Sequence, residues 1–145
     1  MSPLLDKEQI ILRLQNLKRY LKILSLLKKL RLREIEIDPF KTGALLHYLQ
    51  LSAEVSIDVG EMIIAAENFE IPDEAAQIFI ILGKEKILPK KLAVTFSPVA
   101  RFRNLLVHEY VKIDMKKVYA YLQREAQQFD DYAKHIGKYL KKKNR

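Results

Sequence analysis

Apolar residues recur along the first thirty positions in steps of three and four. This spacing places them on one face of an α-helix, and it predicts a first helix that ends at about Leu30. Asp6, with Gln9 three residues later, has the spacing of a capping box at the start of this helix. The apolar positions of the face are Ile10, Leu14, Leu17, Leu21 and Leu24.

A second and longer helix is predicted from Phe40 to about Asn68. Asp38 and Pro39 precede it, as a helix cap and a first helical residue, and no proline interrupts the segment. Polar residues form a stripe along this otherwise apolar helix. They are His47, Glu54, Asp58 and Glu61.

Two of the acidic residues in this stripe, Glu54 and Asp58, lie four residues apart. Like charges at this spacing repel each other by a few tenths of a kcal/mol. A repelling pair within an apolar helix suggests that a cation lies opposite, and Arg103 is the partner that we predict for it. The alternative is that the stripe faces water.

Three more helices follow along the chain. A short one is predicted after Ile71-Pro72, ending at about Leu82 with Gly83 as its C-cap. The next begins at Pro89, and Ser97-Pro98 is expected to kink it, because a proline inside a helix removes one hydrogen bond. Its buried side is predicted to carry Leu92, Phe96, Val99, Phe102 and Leu106.

The last helix is predicted from Met115 to about Leu140, with Asp114 as its cap. Five helices with short connections and no strand alternation predict an all-α fold, an up-and-down helical bundle of about five helices. Residues 1–145 are predicted to form a single helical domain, because this is an ordinary domain length. A frayed basic tail is expected at about 138–145.

Composition narrows the possible chemistry. The absence of cysteine excludes disulfides, thiolate zinc sites and a cysteine nucleophile. The three histidines are isolated in the sequence and show no metal-ligand spacing, so we expect no metal site. The amino-terminal segment resembles neither a signal peptide nor a membrane span, and a cytoplasmic location is therefore expected.

A formal net charge of +8 and a pI near 9.6 favour an anionic partner. Nucleic acid and an acidic protein both fit, and charge alone does not choose between them. The basic residues of the first helix form either a solvated face or a track for a nucleic-acid backbone.

Candidate chemistry is concentrated in the segment RNLLVHEY, which begins at Arg103 and ends at Tyr110. Arginine binds anionic oxygens through a planar fork of donors and stays charged at working pH. Histidine can give or take a proton near neutrality, so Arg103 and His108 together suit work on a phosphate. The alternative is that both are ordinary surface residues.

The pattern R-x4-H-x-Y, written here RNLLVHEY and followed by VKID, resembles the HepT-like toxins of the HEPN superfamily. The similarity extends upstream to LHYLQLSAEVSIDVGEMI (Leu46 to Ile63), to the short helix after Ile71-Pro72 and to the ILPKKLA turn. It covers about residues 5–140. The R-x4-H pair alone would be a weak signal, but the longer string with its upstream helices is a specific one.

This resemblance implies a metal-independent endoribonuclease, without a cofactor, that is the toxin of a toxin–antitoxin pair. His108 would be the acid/base, Arg103 would stabilise the transition state, and Asn104 would orient the imidazole or bind phosphate. The resemblance also implies a homodimer and a minimal nucleotidyltransferase antitoxin that attaches AMP to Tyr110. A non-catalytic helical module that binds such a partner or RNA is the alternative.

The spacing of Arg103 and His108 poses a geometric problem. Side chains five residues apart on an ideal helix point in directions that differ by roughly 140°. Either the helix ends near His108 and frees the imidazole to turn, or two copies of the chain build a composite site. Both conditions are compatible with each other. The first would also place His108 at a helix carboxyl end, where positive charge is favourable.

Overall fold

A computed structural model gives the fold and describes residues 4–108 and 112–143. Eight α-helices and no β-strand occur within these two ranges. The helices are α1 (Lys7–Lys28), α2 (Leu32–Glu36), α3 (Pro39–Glu67), α4 (Ala75–Lys84), α5 (Lys90–Phe96), α6 (Val99–His108), α7 (Met115–Arg124) and α8 (Gln127–Lys142). The all-α class is confirmed, whereas the predicted count of about five helices is too low.

The central helix of the bundle is α3, which packs against α1, α2, α4, α6 and α8. Its buried residues join those of the surrounding helices in one hydrophobic core. Removing this apolar surface from water is the main favourable term in the folding of such a bundle. Because α6 lies directly against α3, the core also sets the position of the helix that carries Arg103 and His108.

The predicted caps of α3 and α7 are present in the structure. The Asp38 carboxylate accepts a hydrogen bond from the Phe40 backbone N–H at 2.9 Å, and Pro39 is the first residue of α3. The Asp114 carboxylate accepts from the Lys116 backbone N–H at 2.9 Å. Both caps satisfy backbone donors that a helix start leaves unpaired.

The capping box predicted for α1 is only half formed. The Asp6 carboxylate accepts from the Gln9 backbone N–H at 3.1 Å, as expected. The Gln9 side chain does not return to Asp6, because its oxygen accepts a hydrogen bond from Arg13 at 3.1 Å.

Gly83 does not have the C-cap role predicted for it, because α4 continues past it to Lys84. No glycine among the described residues has a positive φ, and the left-handed residue of this turn is Lys86, with φ 63°. A β-carbon added at Gly83 would lie 2.5 Å from the Ala93 Cβ. The glycine therefore allows α4 and α5 to approach each other closely.

The Ser97-Pro98 step divides the predicted fourth helix into α5 and α6. Pro98 has no N–H to donate, and the two helices join at this position. Leu92, Phe96, Val99 and Leu106 are buried as predicted, and Phe102 is half-buried. The helix is therefore interrupted at Ser97-Pro98, but its apolar side stays on the core.

The predicted last helix is also two helices, separated at Glu125 and Ala126. No glycine or proline marks this break. The α7 half is held at the end of α1, where the Tyr119 hydroxyl donates to the Leu30 carbonyl at 2.5 Å and the Gln123 amide donates to the Lys28 carbonyl at 2.8 Å. The helix α8 packs on α1, α3 and α5, so α7 and α8 cover different parts of the core.

The expected frayed tail is helical as far as Lys142. Two residues within it, Tyr139 and Leu140, are buried in the core. The Lys143 ammonium lies 2.8 Å from the Glu67 carboxylate, which fixes the end of α8 against the end of α3. Over the two described ranges, no helix combines the length and the hydropathy needed to cross a lipid bilayer.

Candidate active site

Packing on three sides fixes the rotation of α6 about its own axis. Val99, Ala100 and Leu106 are buried, and α6 contacts α3 and α4. The Phe102 ring stacks on the Tyr121 ring of α7, with the ring centres 4.2 Å apart and the planes 12° apart. Aromatic stacking of this kind adds to the free energy of simple area burial. The directions in which the polar residues of α6 point are therefore set by the core.

Arg103 lies on the side of α6 that faces the bundle. It is three positions before the buried Leu106 and three after the buried Ala100, and it is itself half-buried. Its Nε donates to the side-chain oxygen of Asn104 at 2.9 Å. This bond occupies the oxygen of the Asn104 amide, and the nitrogen of that amide takes no part in it.

His108 is exposed and is the last residue of α6 that the structure describes. The helix is unbroken from Arg103 to His108. The two side chains are thus separated by roughly 140° around the axis and by about 7.5 Å along it. A single copy of the chain presents the guanidinium towards α3 and the imidazole towards solvent. Tyr110, the predicted AMP acceptor, lies outside the described residues.

The acidic stripe of α3 lies beside α6. Glu54 is half-buried and accepts a hydrogen bond from the Gln50 amide at 2.8 Å. The pKa of Asp58 is raised above its ordinary value, first by partial burial of the carboxyl and also by the nearby Glu54 charge. Arg13 and, less strongly, Arg103 oppose this increase. Two cations of the same chain therefore act on Asp58.

No ion pair within 4.0 Å joins Arg103 to Glu54 or to Asp58 in the part of the chain that the structure describes. The structure places the guanidinium near enough to Asp58 to influence its protonation, without a direct contact. Direct pairing between Arg103 and this stripe stays a prediction.

Arg13 is a neighbour of the stripe that was not predicted from the sequence. The signal was present, because Arg13 lies three positions after the buried Ile10 and four before the buried Leu17. It therefore occupies the core-facing side of α1, which packs on α3. A cation on that side of the helix is more informative than the many lysines on its exposed side.

The surface around Arg103 and His108 is open in one copy of the chain. Three cavities of about 550, 810 and 820 Å³ lie elsewhere, and neither residue lines any of them. Among the described residues, no three His, Asp or Glu side chains are close enough together to hold a metal ion. The chemical groups of this surface are a guanidinium, an amide and an imidazole on one helix.

The helix α6 lies within a range of the chain that matches a known protein family. The model of the ribonuclease HepT-like family matches residues 14–136, a range that contains Arg103, Asn104, His108 and Tyr110. The tRNA nuclease HepT of Aphanizomenon flos-aquae (strain 2012/KM1/D3) is 35% identical to this chain over 92 residues. That alignment spans 63% of each protein, so it covers less than two thirds of the relative's length.

Solved structures of low sequence identity share the fold. The cytosolic protein YutE of Bacillus subtilis, of unknown function, superposes with a TM-score of 0.84 at 22% identity, covering 99% of this chain and 95% of YutE. The tri-AMPylated HEPN toxin of Shewanella oneidensis, solved in complex with the MNT antitoxin, superposes with a TM-score of 0.79 at 20% identity, covering 88% and 96%. Since the family model matches most of its length, the chain belongs to the ribonuclease HepT-like family.

Proposed function

We propose that this chain is a metal-independent endoribonuclease, the toxin of a toxin–antitoxin pair, and that it cleaves RNA with the R-x4-H motif of α6. The observation that carries this proposal is the presence of Arg103, Asn104 and His108 on one accessible helix, within the range that matches the ribonuclease HepT-like family. The relative at 35% identity is named a tRNA nuclease, which favours RNA as the substrate class.

The proposed reaction is attack of an RNA 2′-hydroxyl on the neighbouring phosphate. His108 takes the proton of the attacking hydroxyl or supplies a proton to the leaving oxygen. Arg103 stabilises the negative charge that develops on the phosphate oxygens. Asn104 holds the Arg103 guanidinium through its oxygen and is available to bind phosphate or the imidazole through its nitrogen. Since DNA lacks the 2′-hydroxyl, this chemistry is specific for RNA.

The reaction needs both a base and an acid, and one copy of the chain supplies one His108. A two-fold symmetric dimer formed next to α6 would bring two Arg103–His108 pairs into one cleft. Val107 supports such a surface, because this apolar side chain is 41% exposed beside His108. In this arrangement Glu54 and Asp58 support Arg103 from α3. The separation of Arg103 and His108 around α6 no longer prevents catalysis, because Arg103 of one copy can act with His108 of the other.

The proposed partner is a minimal nucleotidyltransferase antitoxin that transfers AMP to Tyr110. A toxin of the same fold has been solved in an AMPylated form with its MNT antitoxin, which supports this expectation. An added AMP would place negative charge next to Arg103 and occupy the RNA site. Mass spectrometry after incubation with the partner and ATP tests it. Inactivation with an unmodified Tyr110 peptide would show that the partner acts by binding.

Replacement of one histidine tests the ribonuclease proposal. His108→Ala should abolish RNA cleavage and relieve growth inhibition, with the oligomeric state unchanged in sedimentation. His47→Ala is the matched control, because His47 is also an exposed helical histidine, and its ring lies edge-on to the Tyr48 ring. Cleavage that survives in His108→Ala at the level of the control would exclude His108 as the acid/base.

The non-catalytic module remains the second candidate function. The observation that favours it is the placement of Arg103 and His108 on different sides of an unbroken helix in one copy. This alternative predicts that purified protein binds RNA or the nucleotidyltransferase but leaves RNA intact, and that His108→Ala changes affinity alone.

A further inference from the structure

The carboxyl end of α8 borders a cavity of about 550 Å³ that has no part in the α6 surface. Three separate elements form it: the end of α3, the turn between α4 and α5, and the last turns of α8. Basic side chains dominate its charged lining, with four lysines against two glutamates. The lysines are Lys86, Lys138, Lys142 and Lys143, and the glutamates are Glu67 and Glu85.

Two of these charges neutralise each other. The Lys143 ammonium contacts the Glu67 carboxylate at 2.8 Å and lies 5.9 Å from the centre of the Tyr139 ring. The remaining lysines outnumber Glu85 by two. Like charges gathered around one concave surface repel each other, and an anion bound among them would relieve that repulsion.

Lys86 has a backbone conformation that is unusual for a lysine. Its φ of 63° lies in the left-handed region, where glycine or asparagine is the common residue at the end of a helix. The turn needs this conformation, but it does not need a lysine. A long cationic side chain at a position that glycine would occupy with less strain suggests that the ammonium group has a use in the cavity.

Tyr139 forms a buried part of the cavity wall, since the residue is only 9% exposed. Burial raises the pKa of its hydroxyl well above the usual value, and the charge of Glu67 and a hydrogen bond to Glu67 raise it further. The hydroxyl therefore stays protonated and adds no negative charge to the cavity.

We propose that this cavity binds a phosphate group, contributed either by an RNA strand or by a free nucleotide. The phosphate is held by Lys86, Lys142 and Lys143. Charge-assisted hydrogen bonds from these ammonium groups to the phosphate supply the affinity.

A pair of charge reversals on adjacent lysines tests the site. Both Lys141 and Lys142 are exposed on α8, but Lys142 lines this cavity, whereas Lys141 faces α1. Lys142→Glu should weaken binding of AMP or inorganic pyrophosphate by about tenfold, as expected for the loss of one hydrogen bond to a charged group. Lys141→Glu has the same net charge and should stay within about twofold of the parent. Equal losses in the two variants would overturn the proposal.

A second probe distinguishes the two sources of phosphate. A fluorescent 2′-O-methyl oligoribonucleotide presents phosphodiesters but has no 2′-hydroxyl to attack, so its binding is independent of whether the chain cleaves RNA. Oligonucleotide binding that Lys142→Glu weakens, with a salt dependence reduced by about one unit of slope, assigns the site to RNA. Binding of AMP or pyrophosphate with the same sensitivity assigns it to a free nucleotide. No sensitivity with either probe overturns the site.

Discussion

The α6 surface and the α8 cavity are both rich in positive charge, but they differ in how the charges are arranged. On α6, Arg103 and His108 belong to one helix and point to different sides of it. At the end of α8, lysines from two segments, the turn between α4 and α5 and the end of α8 itself, converge on one concave space. Residues that are close in sequence thus point away from each other on α6, whereas residues that are far apart in sequence meet at the α8 cavity.

This difference bears on what each region needs in order to work. A catalytic group must hold an acid, a base and a cation around one phosphate, and the α6 surface of a single copy does not enclose such a space. The α8 cavity is complete within one chain and needs only an anion. We therefore expect that α6 depends on a second copy for its chemistry, whereas the α8 cavity binds its ligand without one.

The largest expected effect comes from Arg103. Arg103→Gln should lower kcat for RNA cleavage by about a hundredfold or more, because a positioned donor to developing negative charge is lost. If the α8 cavity binds RNA, Lys142→Glu should instead raise KM with kcat unchanged, since it removes binding that ground state and transition state share. Steady-state kinetics on one RNA substrate measures both.

Arg101→Gln is the control for this comparison, because Arg101 lies on the same helix and is exposed. It should leave kcat at the parent value. If Arg101→Gln and Arg103→Gln lower kcat equally, the loss reflects the charge of α6 in general, and the distinction between a catalytic surface and a binding cavity fails.

An intermediate effect is expected from the contact between α4 and α5, beside the cavity. Gly83→Ala should lower the free energy of unfolding by about 1–3 kcal/mol, because its new methyl group would meet the Ala93 Cβ at 2.5 Å and neither can rotate away. Gly137→Ala, in α8, meets nothing within 4 Å. It should raise stability by roughly 0.5–1 kcal/mol, the usual gain when alanine replaces glycine in a helix.

Denaturant unfolding of these two glycine variants measures their free energies of unfolding, and their affinity for AMP shows whether the cavity is intact. Because the Gly83 carbonyl accepts a hydrogen bond from the Lys86 backbone N–H at 3.1 Å, Gly83→Ala should also weaken AMP binding. Its kcat for RNA cleavage under stabilising conditions should match the parent. Loss of kcat in parallel with binding would show that the two regions are coupled.

The smallest effect concerns Asp58. Its folded-state pKa is raised, so the fold favours the protonated carboxyl. The associated stabilisation is complete below the pKa of the unfolded chain and is lost as pH rises through the folded-state pKa. Asp58→Asn should therefore stabilise the protein near neutral pH by a few tenths of a kcal/mol. This gain should disappear below about pH 4.

Unfolding of the parent and Asp58→Asn across this pH range provides the measurement. A variant that is less stable than the parent near neutral pH would show that the Asp58 charge is stabilised by Arg13 and Arg103 more than it is penalised by burial. The acidic stripe would then lie beside the α6 surface and would also stabilise the fold through its charge interaction with Arg103.

The sequence predicted the features that depend on residues close together along the chain. The caps at Asp6, Asp38 and Asp114 and the kink at Ser97-Pro98 are all present. The family resemblance from RNLLVHEY is confirmed by the match to residues 14–136. Helix caps, helical periodicity and short motifs are local, because their interactions join residues within a few positions of one another.

Only the tertiary structure decided the features that depend on distant contacts. It divided the last helix at Glu125, placed Arg13 beside Asp58, and buried Tyr139 in the segment expected to fray. It also gathered Lys86, Lys142 and Lys143 around one cavity. Each of these depends on how helices dock, and docking is set by the shapes of packed side chains from separate segments, which no periodicity within one segment records.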